Sequence, residues 1–424
     1  MKILFAFENP LPSTEADAEV FITTAKCIAP LTAQSWLHVP MARGTDARAV
    51  GTLASMAAVH AWAPVRPAAL RHICCGLGIV WRREFRQADL VYTRNLWVAW
   101  MALLFGQRVV FDHYRPWPDQ IPPLQFWLYR LICHPRFLLN ICHSEYTRVK
   151  YLSLGIPAHK LQCVHNGFEP RRLQPALSLA GAKEQIGIAP GQTTIVYTGR
   201  INHKKGLNLV IEAAQRMPEI LFVLVGSYGH GPIEQSAKAI PNIRIVPWQS
   251  PDGLRRYIFA ADALLIPPSL QPLTEFGSTV LPLKIFLYMA SGRPIIAGDT
   301  PDVREVLKHN HNALLCQPDN VESLVATIAS VTEGTALAQR LAETAQTESR
   351  DLTWDARAQK IAALITSRLQ PPVPVRHGAW NIGQFRNWAR QSLRWLVHLV
   401  RNHSWVLPPV IEMTAQHTAP THRE

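Results

Sequence analysis

The sequence lacks any apolar run long enough to cross a membrane as a helix. Its longest run, from Trp97 to Phe105, is about half of the roughly 18 residues that such a helix needs. The opening segment MKILFAFENPLP holds only a short apolar stretch before Pro10, which predicts a first buried strand rather than a signal peptide. We therefore expect a cytoplasmic protein, either free or peripheral on the inner face of the membrane.

Cysteines with the spacing of a zinc site or of a disulfide framework are also lacking. The seven cysteines are scattered along the chain, their number is odd and no C-x-x-C occurs. This distribution favours a reducing compartment and mostly buried thiols. Because no D-x-D pair follows an apolar strand either, we predict no metal ion and no other cofactor.

Acidic residues are scarce beside basic ones. The chain has 30 Asp and Glu against 43 Lys and Arg, which gives a formal net charge of +13. Such a surface favours anionic partners, among them phosphates, nucleotides, acidic lipids and nucleic acid. The 424 residues, of which 48% are hydrophobic, suffice for two domains with buried cores and an extension.

Short runs rich in Val, Ile and Leu, without polar alternation, predict strands that are buried on both faces of parallel sheets. Longer runs with helical character separate them, and this order predicts doubly wound sheets. The predicted strands are Lys2–Phe7, Asp89–Tyr92, Val109–Phe111, Asn140–Cys142, Thr194–Thr198, Phe222–Val225, Ile243–Val246, Ala263–Ile266 and Pro294–Ala297.

Two breaks divide this pattern. Pro and Gly between residues 170 and 193 precede a fresh strand, and three prolines follow residue 370. We therefore predict four parts: a first domain over residues 1–175, a second domain over 190–345, a closing helix over 351–370, and a basic, Trp-rich extension over 371–424. We expect the tail after Pro408 to be disordered.

The sharpest local pattern lies in the segment IVYTGRINHKKGLNLVIEAA, residues 195–214. A buried strand ends at Gly199, Arg200 follows it, and Lys205 lies just before the next helix. In an open parallel sheet, ligands bind at the carboxyl ends of the strands. A guanidinium and an ammonium placed there suit a diphosphate. From the spacing alone, a solvated basic loop without a ligand is an equally good interpretation.

Residues 195–330 resemble the group 1 family of retaining glycosyltransferases, enzymes of the GT-B fold. The order Gly199-Arg200, loop, Lys205-Gly206, helix matches the family. Later segments follow in the family's order: FVLVGSYGHGP, NIRIVPWQSPDGLRRYIFAADALLIPPS, LPLKIFLYMASGRPIIAGD and PDVREVLKHNHNALLCQPDNVESL. The resemblance implies two facing Rossmann-like, doubly wound domains. It also implies that Arg200 and Lys205 bind the diphosphate of a nucleotide-sugar donor, without a metal ion.

One part of the family pattern is broken. The family usually has two glutamates separated by seven residues, and the corresponding positions hold Thr279 and Leu287. In the family the second glutamate binds ribose hydroxyls, which leucine cannot do. We expect either altered ribose recognition or binding without turnover. Further donor-binding candidates are the carboxylate of Glu275 and the loop before the next helix, whose amides suit a phosphate: Gly277, Ser278, Thr279 and Val280.

The first half of the chain resembles the family more loosely. Many members have an active-site histidine after the strand that corresponds to residues 109–111. His113 is the one histidine there, and the family spacing would place Tyr114 at that point. The resemblance makes His113 a candidate catalytic residue, and a loop histidine without a role is the alternative.

Residues 380–401, WNIGQFRNWARQSLRWLVHLVR, contain no acid. At about 100° per residue, an apolar arc lies nearly opposite a stripe of arginines. A basic amphipathic helix with tryptophans suits an anionic bilayer. Docking on the first domain is the alternative, and we expect no nucleic acid, although Arg with Trp also suits RNA. The arc comprises Ile382, Phe385, Trp388, Ser392, Trp395, Leu396 and Leu399, and the stripe Arg386, Arg390, Arg394 and Arg401.

The sequence thus predicts a GT-B glycosyltransferase with a C-terminal helical extension. It would move a sugar from a nucleotide-diphosphate donor to a glycan or a lipid-linked acceptor, with retention if the resemblance holds. A nucleotide-sugar-binding or scaffold protein without catalysis is the rival, supported by Leu287 and Thr279. An epimerase of the same fold would need acids near the sugar, and the sequence places none convincingly.

Overall fold

The structure is a computed structural model that describes residues 1–13, 15–41, 55–113, 120–202, 205–271, 281–369, 382–402 and 407. It contains two parallel β-sheets, each with a hydrophobic core on both faces. This is the predicted GT-B architecture of two Rossmann-like, doubly wound units. We call the part that carries the first sheet the first domain and the part that carries the second sheet the second domain.

The first sheet has seven strands in the described residues, in the order β3-β2-β1-β4-β5-β6-β7. The order reverses between β1 and β4, and such a reversal opens a crevice at the carboxyl ends of the two strands. The strands are β1 Lys2–Ala6, β2 Gln34–Pro40, β3 Ala58–Trp62, β4 Leu90–Thr93, β5 Val109–His113, β6 Phe137–Cys142 and β7 Leu161–Cys163.

The second sheet has six strands in the described residues, in the order β10-β9-β8-β11-β12-β13. Here the order reverses between β8 and β11, so the carboxyl end of β8 borders a crevice of the same kind. The strands are β8 Thr194–Thr198, β9 Leu221–Ser227, β10 Ile243–Pro247, β11 Ala263–Ile266, β12 Ile295–Gly298 and β13 Leu314–Cys316.

Helices connect and cover the strands. Several begin at a side chain that accepts backbone N–H groups, as Asn95 and Ser144 do. The helices are α1 Ala16–Ile28, α2 Ala68–Val80, α3 Arg83–Gln87, α4 Leu96–Leu104, α5 Gln125–Ile132, α6 Glu145–Ser153, α7 Leu179–Gln185, α8 Leu207–Arg216, α9 Pro232–Ala237, α10 Pro251–Phe259, α11 Lys284–Ala290, α12 Val321–Glu333, α13 Thr335–Glu348, α14 Trp354–Leu369 and α15 Ile382–Asn402.

The strands are buried on both faces of their sheets, which explains why their apolar sequences could be recognised. In β8, Val196 packs into one core while Ile195 and Tyr197 pack into the other, so both faces demand apolar side chains. All nine predicted strands form, with ends that differ by a few residues. Four further strands, β2, β3, β7 and β13, were not predicted, because they are very short or include polar residues such as His38.

The two sheets are separated by the predicted boundary, since β7 ends at Cys163 and β8 begins at Thr194. The exact limits of the four predicted parts stay a prediction. The tail after Pro408 and the proline-rich segment after residue 370 lie outside the described residues.

Helix α14 returns the chain to the first domain. Its residues Ala358, Ile361 and Ile365 are buried in the core around β1. On the same helix, Arg357 donates hydrogen bonds to Asp112 Oδ1 at 3.1 Å and to the Val164 carbonyl at 2.8 Å. The closing helix is therefore part of the first domain's core.

A buried ionic cluster fixes this arrangement. Asp112 is fully buried at the end of β5, where His143 Nε2 lies 2.9 Å from Oδ1 and Arg94 lies 3.1 Å from Oδ2. Burial alone would raise the pKa of Asp112, but His143, Arg357 and Arg94 outweigh it and hold the pKa well below its ordinary value. The carboxylate is therefore charged across the whole neutral range.

Helix α15 docks on the first domain, which is the alternative that the sequence left open. Trp388 lies 6.4 Å from Phe126 between ring centroids, and Gln125 donates a 2.7 Å hydrogen bond to Gln391. None of the described helices has both the length and the apolar character that crossing a membrane requires.

We predict that Arg357→Leu lowers the free energy of unfolding by about 3 kcal/mol, because it removes one partner of a buried charge. Arg368→Leu on the same helix is the matched control. Among the described residues its guanidinium bonds backbone carbonyls alone, so its loss should cost about 1 kcal/mol. Urea denaturation followed by tryptophan fluorescence measures both, and equal losses would contradict the central place of the Asp112 cluster.

Candidate functional site

The loop after β8 begins with a close contact between two glycines. The Gly199 N–H donates to the Val225 carbonyl at 2.8 Å, and a Cβ on Gly226 would lie 2.4 Å from the Gly199 carbonyl oxygen. Both residues have positive φ, 134° and 118°, where side chains are strained. The two backbones can therefore approach closely only as glycines, and the loop leaves β8 at a fixed angle.

Arg200 follows this turn and faces the first domain. Its guanidinium lies 5.7 Å from the centre of the Tyr228 ring and 3.5 Å from the Glu15 carboxylate. Glu15 immediately precedes α1 in the first domain. Both charged side chains are more than half exposed, so this ion pair is weak and can exchange for another anion.

Two lysines lie beside Arg200. Lys205 precedes α8, and Lys284 is the first residue of α11. Desolvation of the ammonium and the charge of Arg200 lower the pKa of Lys205, although much of the residue is open to solvent. Burial, reinforced by Lys205, lowers the pKa of Lys284 well below its ordinary value. Arg200 thus acts on Lys205, and Lys205 acts on Lys284, which means that the three basic side chains lie in one small region.

Lys284 was not predicted from the sequence. Its Nζ lies 3.7 Å from the centre of the Tyr197 ring and would lie 2.8 Å from a Cβ on Gly199. The ammonium therefore lies at the start of the glycine turn, against an aromatic face that favours a cation. Neither lysine forms an ion pair with a carboxylate among the residues that the structure describes. This arrangement of positive charges would therefore suit a bound anion.

Helix α11 is held behind the same loop. The Tyr288 hydroxyl accepts a 2.8 Å hydrogen bond from the Thr198 N–H at the end of β8. Lys284 and Leu287 lie three residues apart on this helix and so share a face. Leu287 is only 8% exposed and belongs to a hydrophobic core, which explains why leucine is stable there.

Residues 181–348 match the family model described as glycosyl transferases group 1. Among curated proteins, the amylovoran biosynthesis glycosyltransferase AmsK of Erwinia amylovora is 25% identical over 218 residues, which are 49% of this chain and 50% of AmsK. The D-inositol 3-phosphate glycosyltransferase of Rhodococcus erythropolis is 23% identical over 217 residues, 47% of each chain. The chain thus matches about half the length of these curated relatives.

A solved structure matches over a longer range. HepE of Anabaena, solved in complex with UDP-glucose, superposes with a TM-score of 0.67 at 18% identity, covering 87% of this chain and 100% of that one. At this identity the likeness concerns the fold alone, and it extends over both domains.

Several predicted donor-binding residues lie outside the described part of the chain. These are Glu275 and the loop Gly277, Ser278, Thr279 and Val280. The structure does bring Gly199, Arg200 and Lys205 together at the carboxyl end of β8. Their roles remain predictions, as does that of Leu287.

His113 is buried at the carboxyl end of β5. Its Nδ1 lies 3.0 Å from the Tyr151 hydroxyl, while no described residue offers a hydrogen-bond partner to Nε2. Burial, followed by the charges of His143 and Arg94, holds the pKa of His113 well below its ordinary value. The ring is therefore neutral, and it would serve as a hydrogen-bonding group rather than as a cation. Whether it lines the site stays a prediction.

Glu8 is a second residue that the sequence did not reveal. It follows β1, at the crevice where the first sheet reverses its order, and it is 6% exposed. Its Oε2 has no hydrogen-bond partner among the described residues, and Oε1 lies 3.8 Å from His72 Nδ1. Burial raises the pKa of Glu8 to about 7. The group can therefore take up or release a proton near neutral pH, a property that candidate catalytic groups often have.

We predict that Arg200→Ala, Lys205→Ala and Lys284→Met each weaken binding of inorganic pyrophosphate by roughly 10- to 100-fold, since each removes a charge-assisted contact worth about 1.5–3 kcal/mol. Calorimetry with pyrophosphate and with UDP measures this and separates phosphate contacts from base contacts. Lys238→Ala, an exposed lysine of the second domain, is the control. Unchanged affinity and turnover in the Arg200 and Lys205 variants would refute the assignment.

We predict that Glu8→Gln flattens the dependence of stability on pH. Glu8 in the folded state binds its proton up to about pH 7, against an ordinary value of 4.5. Stability should therefore fall as the pH rises from about 4.5 to about 7, by up to roughly 3 kcal/mol. Glutamine cannot ionise, so the variant should exceed the wild type in stability at pH 8. Thermal unfolding from pH 4.5 to 8 tests this, with Glu343→Gln as an exposed control, and an unaltered pH profile would contradict it.

Proposed function

We propose that this protein is a glycosyltransferase that takes a sugar from a nucleotide-diphosphate donor. The supporting observation is the set of three cations, Arg200, Lys205 and Lys284, around the glycine turn at the carboxyl end of β8. The family match over residues 181–348 supports the same function. So do the similarity to AmsK, which is named a glycosyltransferase, and the similarity to HepE, which was solved with UDP-glucose.

The chemistry follows from the charge of the leaving group. When the glycosyl bond breaks, negative charge grows on the diphosphate, and cations already in place stabilise it without reorganisation. The described residues supply no evident nucleophile beside this site. We infer retention from the family resemblance, through a front-face departure in which the leaving phosphate helps to deprotonate the acceptor.

The acceptor would bind on the first domain, across the cleft from the donor. Glu8 and His113 lie at the carboxyl ends of β1 and β5 there, and each keeps a buried polar atom without a described partner. We propose a hydroxyl of a glycan or of a lipid-linked glycan as the acceptor group. Such hydroxyls both donate and accept hydrogen bonds, which suits these two side chains.

The rival function is donor binding without turnover. It rests on Leu287 and Thr279, which replace the family's glutamates. A screen of nucleotide sugars by thermal shift identifies the donor, and release of the nucleoside diphosphate from that donor then separates the two functions. Binding with no release, in the presence of a mixed glycan and lipid-linked acceptor pool, would favour the rival. Turnover that survives EDTA is expected, because the cations replace a metal ion at the phosphates.

We predict that Leu287→Glu tightens binding of a ribonucleotide donor, because a carboxylate at this point on α11 would be able to bind two ribose hydroxyls. A gain of about 1–2 kcal/mol corresponds to one added charge-assisted contact after desolvation. Calorimetry with UDP and with 2′-deoxy-UDP measures it, since only the ribonucleotide offers both hydroxyls. Equal affinities in wild type and variant would mean that position 287 lies outside the ribose pocket.

We also propose that α15 rests on the inner face of an anionic membrane while it stays docked on the first domain. The docked side carries Trp388, Gln391 and Trp395, which are half-buried. The adjacent side exposes apolar residues, among them Phe385 at 54% and Val400 at 68%. The arginines, all exposed, border this apolar strip. An exposed apolar strip beside one sign of charge fits the boundary of an anionic bilayer.

We predict that the full chain co-sediments with liposomes that contain anionic lipid, and less so as salt rises, since each arginine near such a surface contributes about 1 kcal/mol. Arg386→Glu, Arg390→Glu and Arg394→Glu together should abolish this. The control reverses three exposed cations of the second half of the chain, Lys238, Arg340 and Arg350, and changes net charge equally. If wild type stays in the supernatant at low salt, α15 is a docked helix only.

A further inference from the structure

A cluster of three metal-ligating side chains lies away from the glycine turn, where the two domains meet. Cys163 is the last residue of β7, and His165 follows two positions later. Cys163 Sγ lies 3.7 Å from His165 Nε2. The thiol and the imidazole therefore approach one point from a single short segment of the first domain.

The third side chain comes from the second domain. Glu305 Oε2 lies 2.9 Å from His165 Nε2. The same carboxylate accepts the backbone N–H groups of Glu145 and Tyr146, at 2.7 Å and 2.9 Å, at the start of α6. Glu305 is thus held in place by the first domain, with Oε2 within hydrogen-bond distance of His165.

The distances are close to those of a tetrahedral zinc site. All three ligand atoms lie within 4.8 Å of one another. Zinc bonds of about 2.3 Å to sulfur and about 2.0–2.1 Å to nitrogen and oxygen would separate sulfur from nitrogen by about 3.5 Å and nitrogen from oxygen by about 3.4 Å. The histidine and glutamate would need to part by roughly 0.5 Å. All three side chains are partly exposed, so small rotations can supply that shift.

The donor set and its surroundings favour zinc over other cations. One thiolate, one imidazole and one carboxylate form a mixed soft and hard set that zinc accepts, whereas magnesium and calcium prefer oxygen ligands alone. Cys163 and His165 also line a small polar pocket of about 50 Å³ with Asn166, Asp351 and Lys360. Since all three side chains are partly exposed, a water molecule could serve as the fourth ligand.

We propose that Cys163, His165 and Glu305 form a zinc site that joins the two domains. The metal ion would bind Nε2 of the neutral His165 ring, whose proton then lies on Nδ1, and the Glu305 carboxylate, while the Cys163 thiol would release its proton to solvent. The site holds the domains at a fixed spacing and takes no part in the chemistry at the donor phosphates. It stands independently of the proposed glycosyl transfer.

The test is titration of metal-free, full-length protein with Co²⁺, followed by Zn²⁺. We expect one Co²⁺ per chain with the charge-transfer absorption of a cobalt–thiolate bond, and displacement of that ion by Zn²⁺. Cys163→Ser should abolish the absorption. His165→Asn and Glu305→Gln should weaken zinc binding by more than the roughly 10- to 100-fold typical of an outer ligand partner. Zn²⁺ should also raise the Tm of wild type but not of Cys163→Ser.

Two controls separate the site from ordinary ion pairs and thiols. His311 and Glu348 form a histidine–carboxylate pair at 2.7 Å on the surface, and His311→Asn should leave zinc affinity unchanged. Cys27→Ser removes a half-buried thiol elsewhere and should also change nothing. Cys163→Ser is the decisive variant, because the described contact of its sulfur is to His165 and the substitution leaves the cap of α6 intact. Equal zinc affinity in wild type and Cys163→Ser, or no thiolate absorption in wild type, would overturn the proposal.

Discussion

The Asp112 carboxylate, buried at the end of β5, is shared by Arg94, His143 and Arg357. A charge in this position is tolerable only because its partners satisfy it, and each partner comes from a different part of the chain. Arg94 follows β4, His143 follows β6, and Arg357 belongs to α14. The cluster therefore fixes the carboxyl ends of β4, β5 and β6 relative to helix α14. Glu8 and His113 lie at the carboxyl ends of strands in the same sheet.

The second domain has the opposite electrostatic character at its strand ends. Lys205 and Lys284 have lowered pKa values because they are desolvated near other cations, and no carboxylate among the described residues pairs with them. The buried carboxylate of the first domain is paired, while the lysines of the second domain have no described carboxylate partner. This contrast suits a scaffold on one side of a cleft and a phosphate-binding surface on the other.

Two described contacts between the domains differ in character. Arg200 faces Glu15, and Glu305 caps α6 while it approaches His165 and Cys163. The exposed Arg200–Glu15 pair is easily exchanged for a ligand, whereas the Glu305 contacts are more buried. The proposed zinc ion would strengthen the contact of Glu305 with His165 and Cys163, and it would leave the Arg200–Glu15 pair unchanged. Helix α15 adds a further surface to the first domain, through its contacts with Phe126 and Gln125.

The sequence by itself determined the fold, because strands buried on both faces need continuous apolar runs, and nine such runs were visible. It also determined Gly199, Arg200 and Lys205 as a group, since they are close in the chain. Only the tertiary structure brought Lys284, nearly 80 residues further along the chain, to these three residues. The tertiary structure also paired Glu305 with His165, and it buried Glu8 where the strand order of the first sheet reverses. Those properties depend on distances between segments that no local pattern encodes. Helix α15 illustrates both kinds of property. Its amphipathic character follows from the sequence, whereas the side that docks depends on Phe126 and Gln125, which only the tertiary structure brings to it.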